Sequence, residues 1–301
     1  MKPFIQLIRP KQWTKNLFIF LPVFFSGQLL NIPILISCVV VFIAFSLSAS
    51  SIYCFNDIYD METDKLHPEK CKRPVASGAI SKKMAYALMI VCFLLSMSIL
   101  SYPILSYPIP DENEIYTIIG LILCYYVINI AYCVKLKQYV IIDVVIIAIG
   151  FVIRILIGGV ISGVKPSEWI IIVTFLLALF LAFAKRRDDV VLFQNTGISH
   201  RKNTNRYNLV FMNQIITIIA TVIIVAYLMY TLSPDVIEHF NGKPVYITTI
   251  FVLMGIIKYL QIAIVDLKSG SPEKVLLNDR FIQCCIIGWI VSFLIIIYLK
   301  H

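Results

Sequence analysis

The apolar residues of this chain come in runs of about 20, the length an α-helix needs to cross roughly 30 Å of hydrocarbon. The runs recur through all 301 residues, of which 59% are hydrophobic and only 14% charged. Average soluble domains are about a quarter charged, so a soluble globular fold is excluded. The expected fold is all-α: a polytopic bundle of nine transmembrane helices with a cytoplasmic N-terminus. The spans are read at 16–30, 33–55, 84–105, 115–133, 139–162, 167–184, 211–232, 244–265 and 281–299. The first is short and carries Pro22, a site for a kink. Residues 1–16 hold Lys2, Arg9, Lys11 and Lys15 without a leading apolar core, so they do not read as a cleavable signal.

A net charge of +9 raises the question of nucleic acid. The distribution of the charge argues against such a partner. With the N-terminus inside, Lys165, Lys243 and Lys300 fall outside and Arg154 and Lys258 fall within spans. Every other Lys and Arg lies in a cytoplasmic segment, which is the positive-inside bias. The expected outer loop with Asp111, Glu112 and Glu114 agrees with it.

No composition shift or Gly/Ser-rich linker divides the chain, so residues 1–301 are read as one transmembrane domain. Two long charged loops lie on the cytoplasmic side, at about 56–83 and 185–210, with a smaller one at 266–280. Function is therefore expected at the cytoplasmic mouth. No residue-level repeat supports a duplication. The eight cysteines lie mostly in or beside spans, with Cys71 in a loop. Their spacing shows no metal or redox pair, and they are read as packing residues.

The second apolar run ends in NDIYDMETDKLHPEKCKRP, residues 56–74. Asn56, Asp57, Asp60 and Asp64 follow the pattern N-D-x-x-D-x-x-x-D. If the helix continues, the three aspartates fall within about 60° of one another on one face. Three like charges on a stripe repel unless a cation holds them. Oxygen ligands without His or Cys favour a hard ion such as Mg2+, which commonly brings phosphate oxygens with it. Lys65, Lys70, Lys72 and Arg73 follow at once, so the pattern reads as a diphosphate site. A plain solvated acidic loop would not account for regular spacing at a membrane exit.

Two further basic stretches face the same side. The sixth span ends in AKRRDDVV, where Lys185, Arg186 and Arg187 precede Asp188 and Asp189. Either acid is spaced to pair with Lys185 on a helix. The stretch reads as a second wall of the anionic pocket or as positive-inside anchoring. The N-terminal RPKQWTKN adds Arg9, Lys11 and Lys15, with Trp13 at interface depth. It too is read as pocket or as anchor. Asp143 and Arg154 share a face of the fifth span but stand about 16 Å apart along its axis, too far to bond. Asp143, near the cytoplasmic end, is read as a contact to polar substrate. Arg154 lies deep enough to face the bundle interior, for structural pairing or for substrate. Lys258 is read as snorkelling.

The stretch NDIYDMETDKLHPEKCKRPVASG resembles the first aspartate-rich motif of the UbiA superfamily of intramembrane prenyltransferases, and nine helices suit that fold. Further stretches resemble its decaprenyl-phosphate phosphoribosyltransferase branch: RPKQWTKNLFIFLP, YCVKLKQYVIIDVV, FVIRILIGG, AKRRDDVV and SGSPEKVLLNDR. The resemblance covers nearly the whole chain. It implies that Asn56, Asp57, Asp60 and Asp64 hold Mg2+–diphosphate. It also implies that Lys11, Lys15, Arg73, Lys185 and Arg186 contact phosphates and that Asp143 lines a sugar pocket. The implied reaction is Mg2+-dependent transfer of 5-phosphoribose from phosphoribosyl diphosphate to a polyprenyl phosphate. The implied location is multi-pass in a bacterial inner membrane, and a homo-oligomer is compatible with it.

One departure bears on the substrate. Aromatic prenyltransferases of the superfamily usually carry a second D-x-x-x-D after the sixth span. Here Asp188 is followed by Asp189, Val190, Val191 and Leu192. A cationic stretch there suits an extra phosphate better than a neutral ring. The chemistry needs no strong base, because a phosphate monoester is already anionic. His67 and His200 fall in loops, and His239 and His301 fall on the far side. Two alternatives stay open: a prenyltransferase using the same metal site for a prenyl diphosphate, and an anion transporter or channel. A transporter should show Gly/Pro-broken spans in repeated halves, where only Pro22 and the Gly158-Gly159 pair are found.

Overall fold

The computed structural model describes residues 2–66, 70–101, 112–196, 207–267, 269–270 and 272–298. His67, His200, His301 and Asp111 lie outside the described residues. The described residues are helical with no strand. Eight helices among them are long and apolar enough to cross a membrane. The chain divides into two compact units, Met1–Pro166 and Ser167–His301.

The first unit opens with α1 (Lys2–Ile8), a 3-10 helix (Pro10–Phe20) and the short α2 (Leu21–Phe25). It continues through α3 (Ile32–Tyr59), α4 (Met61–Lys65), α5 (Lys82–Ser101), α6 (Glu112–Val134) and α7 (Ile142–Ser162). The span expected at 16–30 is not a long α-helix; it is the end of the 3-10 segment followed by α2. Proline stands at the start of both pieces, at Pro10 and Pro22, where its missing N–H costs nothing. Phe20 and Leu21 keep right-handed helical geometry, so the two pieces run on without a break. A 3-10 helix rises about 2.0 Å per residue, so the 11-residue piece reaches about 22 Å. The five residues of α2 add about 7 Å. The tighter winding thus recovers the reach that a short segment would otherwise lack.

The close seat of the 3-10 helix explains its slimness. A methyl at Gly158 of α7 would collide with the carbonyl of Ile19. Phe18 meets Phe151 of α7 edge to face at 5.0 Å between centroids. The core around this seat includes Ile19, Val23, Phe45, Ile122, Ile153 and Ile157, all nearly or fully buried. A smaller cluster of Leu7, Ile58, Val75, Ile80 and Ala85 lies under the end of α3. The outward faces stay apolar: Ile90, Val91, Leu94 and Leu95 of α5 are exposed. Helices that are oily all round are what a lipid solvent demands.

The second unit holds α8 (Glu168–Thr196), α9 (Leu209–Leu232), α10 (Pro234–His239), α11 (Thr249–Ile264), α12 (Pro272–Asn278) and α13 (Arg280–Tyr298). Here α8 corrects a boundary. Residues 185–196, expected to begin a loop, continue the helix as KRRDDVVLFQNT. Lys, Arg, Leu and Gln are good helix formers, and the run contains no Gly or Pro to stop it. Polar contacts also fix it: Arg187 Nε donates to Asn213 Oδ1 at 2.7 Å and Ser269 Oγ donates to Asp188 Oδ1 at 2.7 Å.

Gly158→Ala is expected to lower the stability of the detergent-purified protein by about 1–3 kcal/mol, the usual cost of overpacking. Gly120→Ala, where nothing lies within 4 Å of the added methyl, serves as the control and should be neutral or slightly stabilising. Thermal denaturation of the two variants side by side checks the seat of the 3-10 helix.

Candidate functional site

The end of α3 collects the acidic motif, and the helix breaks there. α3 stops at Tyr59, Asp60 occupies the junction at φ −86° and ψ 2°, and α4 begins at Met61. The chain stays coiled through the junction, since the Asp60 N–H donates to the Asn56 carbonyl at 2.9 Å and the Asp64 N–H to the Asp60 carbonyl at 2.8 Å. The three aspartates nevertheless do not share one partner, as a single stripe would have them do. Asp57 and Asp64 both meet Arg73, with Nη1 at 3.4 Å from Asp57 Oδ1 and 2.6 Å from Asp64 Oδ2. Arg9 also pairs with Asp57 Oδ1. Asp60 turns instead to Lys137.

Each base is delivered by a distinct local structure. Arg9 sits in the left-handed region, at φ 55° and ψ 59°, between α1 and Pro10. That conformation is uncommon outside glycine, and it is held by the Arg9 N–H to the Ile5 carbonyl at 3.1 Å. The Arg9 guanidinium also lies over the ring of Tyr53, 5.2 Å from its centroid. Arg73 begins the tight RPVASG turn. There the Ser77 N–H bonds the Arg73 carbonyl at 2.8 Å and the Ile80 N–H bonds the Pro74 carbonyl at 3.0 Å. Gly78 takes φ +77°, which a side chain would resist. Val75 and Ile80 anchor the turn in the apolar cluster beneath the site. Lys137 comes from the short 3-10 turn Leu136–Gln138 after α6. Its ammonium lies over the ring of Tyr59 at 5.2 Å, and the Tyr59 hydroxyl donates to the Val134 carbonyl at 3.0 Å.

Asp57 is 1% exposed, a depth at which a carboxylate needs cations. Arg9 and Arg73 both serve Oδ1, and Oδ2 is buried with no hydrogen-bond partner. Among the described residues, no three His, Cys, Asp or Glu side chains are gathered to hold a metal ion by themselves. Mg2+ seldom asks for that. It takes one or two carboxylates and completes its shell with water and phosphate oxygens. An orphaned carboxylate oxygen on Asp57, with Asp64 on the same arginine, is a donor set that fits such an ion.

The other expected site residues are placed as follows. Asn56 Oδ1 accepts from Cys133 Sγ at 3.3 Å, tying α3 to α6. Asp143 is fully buried in the first turn of α7, two residues after Ile141, whose φ of 71° is rare for a β-branched residue. Lys11 and Lys15 lie on the 3-10 helix, Lys11 exposed and Lys15 half-buried. In the second unit, Lys185 and Arg186 lie on α8. Arg186 is buried and donates to Asp189 Oδ2 at 3.3 Å. Asp188 accepts from Ser269. Arg187 is committed to structure: besides Asn213 it donates to the carbonyls of Ala263 and Ile264. Arg154 bonds neutral groups of its own unit and does not meet Asp143.

Lys137 was not singled out in the sequence. It stands 77 residues from Asp60, and no local spacing links them. The available signal was its place in a short basic loop on the same expected side as the acidic motif. Arg9 was named among the N-terminal bases without a specific partner.

The UbiA prenyltransferase family matches residues 17–283. Decaprenyl-phosphate phosphoribosyltransferase of Corynebacterium glutamicum is 29% identical, over 98% of this chain and 86% of that protein. The enzyme of the same name from Mycolicibacterium smegmatis is 30% identical, over 95% of this chain and 89% of that protein. Among solved structures, a UbiA homolog from Archaeoglobus fulgidus bound to GPP and Mg2+ superposes with a TM-score of 0.67. It shares 16% identity, with 99% of this chain and 100% of that one covered. With its apolar helices and the matched fold, the chain is an integral membrane protein and belongs to the UbiA prenyltransferase family.

Proposed function

We propose that this chain transfers 5-phosphoribose from phosphoribosyl diphosphate to a polyprenyl phosphate, releasing diphosphate. The reading is carried by the charge cluster at the end of α3, where Arg9, Arg73 and Lys137 meet Asp57, Asp60 and Asp64. Its sugar donor and lipid acceptor come from the relatives named decaprenyl-phosphate phosphoribosyltransferase. The site is taken to face the cytoplasm of a bacterial inner membrane, in line with the positive-inside charge pattern.

In the reaction the bond from ribose C1 to the diphosphate oxygen breaks, and a bond from C1 to an oxygen of the lipid phosphate forms. Negative charge grows on the departing diphosphate. Arg73, Arg9 and Lys137 stand where they can turn from carboxylate to phosphate oxygens and stabilise that charge. Asp57 and Asp64 would hold Mg2+, which supplies further charge neutralisation on the diphosphate when bound. Asp60 would keep Lys137 in place, and Asn56 steadies the end of α3 through Cys133. Asp143 is assigned to the sugar, and Lys11, Lys15, Lys185 and Arg186 to phosphates, on the resemblance. The attacking phosphate is anionic at neutral pH, so no side chain is required as a strong base.

The family also supports a second reading, transfer of a prenyl group from a prenyl diphosphate to a small acceptor. A solved neighbour holds GPP and Mg2+. Both readings use the same diphosphate site and differ in the electrophilic carbon.

Purified protein offered labelled phosphoribosyl diphosphate with polyprenyl phosphate should label the lipid, and EDTA should abolish the signal. Prenyl transfer from prenyl diphosphate to an aromatic acid, with no sugar transfer, would refute the first reading. Lys137→Ala should lower kcat/KM by about 100-fold or more, the scale of losing one group that stabilises developing charge, and Asp60→Ala should lower it as well by releasing Lys137. Arg73→Lys should keep part of the activity that Arg73→Ala loses, because a single nitrogen, Nη1, meets both carboxylates and one ammonium can take that place. Steady-state kinetics on the four variants checks both expectations.

A further inference from the structure

Arg154 is 4% exposed in the middle of α7. Its Nε donates to Asn16 Oδ1 at 2.8 Å, Nη1 to the Gly150 carbonyl at 2.6 Å and Nη2 to the Tyr125 hydroxyl at 3.3 Å. Three rings surround the guanidinium: Phe45 at 4.8 Å, Tyr125 at 5.1 Å and Phe151 at 5.2 Å. Among the described residues no carboxylate pairs with it. A guanidinium stays protonated in proteins, and burying a cation without an anion is one of the costlier arrangements a fold can keep. Its donor groups are engaged and its faces covered, so it presents little to a ligand.

What the cation grips is the 3-10 helix. Asn16, 1% exposed, accepts from Arg154 and passes the link on, its Nδ2 donating to Ser46 Oγ of α3 at 2.8 Å. One turn nearer the N-terminus, Trp13 Nε1 donates to Ser50 Oγ at 3.0 Å, and the Ser50 hydroxyl shares its proton between the Ile8 carbonyl at 2.9 Å and the Ser46 carbonyl at 2.8 Å. These bonds tether the chain on both sides of Arg9. Arg9 stands immediately before this helix, so a shift of the helix would carry the base of its side chain away from Asp57.

We propose that Arg154 is a positioning residue. Through Asn16 it seats the Pro10–Phe20 helix, and so holds Arg9 against Asp57. The role deepens the diphosphate-site reading above and rests on it for its effect on ligand. The seating itself stands on the contacts alone.

Hydrogen–deuterium exchange on the full chain in detergent tests the seating. Asn16→Ala and Arg154→Met should each speed exchange about tenfold or more across residues 2–20, from the loss of a bond to a charged group. Exchange in α9 and α11 should be unchanged. Asn16→Asp, which keeps an acceptor for Arg154, should restore much of the protection. Arg154→Lys should not, because one ammonium cannot reach the same acceptors. Titration with Mg2+ and inorganic pyrophosphate tests the consequence, with binding about tenfold weaker in Asn16→Ala. Unaltered exchange across residues 2–20 in Asn16→Ala would overturn the proposal, as would faster exchange with undiminished pyrophosphate binding. If the wild-type protein itself fails to bind Mg2+ and pyrophosphate, the diphosphate-site reading falls and the exchange data decide the seating. Should Arg154→Met not fold, the Asn16 variants carry the test.

Discussion

A carboxylate buried at the end of a long apolar helix must have a cation, and Asp57 has two. The first unit is arranged around that need. Arg9 reaches it from the N-terminal segment and Arg73 from the turn after α4, so two distant stretches of chain close over the end of α3. Neither could be drawn away from the other groups at no cost. A buried ion pair that loses one partner costs about 3–5 kcal/mol, and here Arg73 answers to Asp64 as well. The cluster therefore shapes the polypeptide around it before any ligand arrives.

On the proposed reading, the same balance gives the site its chemistry. Three acidic and three basic side chains offset one another, so little net charge is left at the edge of an oily bundle. A diphosphate accompanied by a divalent ion brings both signs at once and can exchange partners with both sets. Neither component alone matches the cluster so well. The unsatisfied oxygen of Asp57 marks where the exchange has something to gain.

Much of the architecture was legible because lipid imposes a length. The runs at 33–55, 84–105 and 115–133 are found as Ile32–Tyr59, Lys82–Ser101 and Glu112–Val134. The first expected span was misjudged because hydropathy does not distinguish a 3-10 from an α-helix. The deciding contacts, Arg154 to Asn16 and Ile19 against Gly158, lie far apart in the sequence. The start of the 185–210 loop was misplaced for another reason: charge was taken as the end of a helix, when it marked only the end of the apolar run. At the site, the identity of the acids was visible in their spacing, but their partners were not. The helix breaks at Asp60, and there Asp60 meets Lys137 while Asp57 and Asp64 face Arg73.

The continuation of α8 past its oily portion has an evolutionary corollary. Its 29 residues make a rod about 43 Å long, longer than the roughly 30 Å of hydrocarbon. A flexible loop would absorb an inserted residue, but a rod transmits it as a turn of about 100°. One extra residue after Ala184 would swing Arg187 off Asn213 and Asp188 off Ser269 together. Insertions and deletions should therefore be rare in this polar stretch, although it looks on paper like ordinary surface.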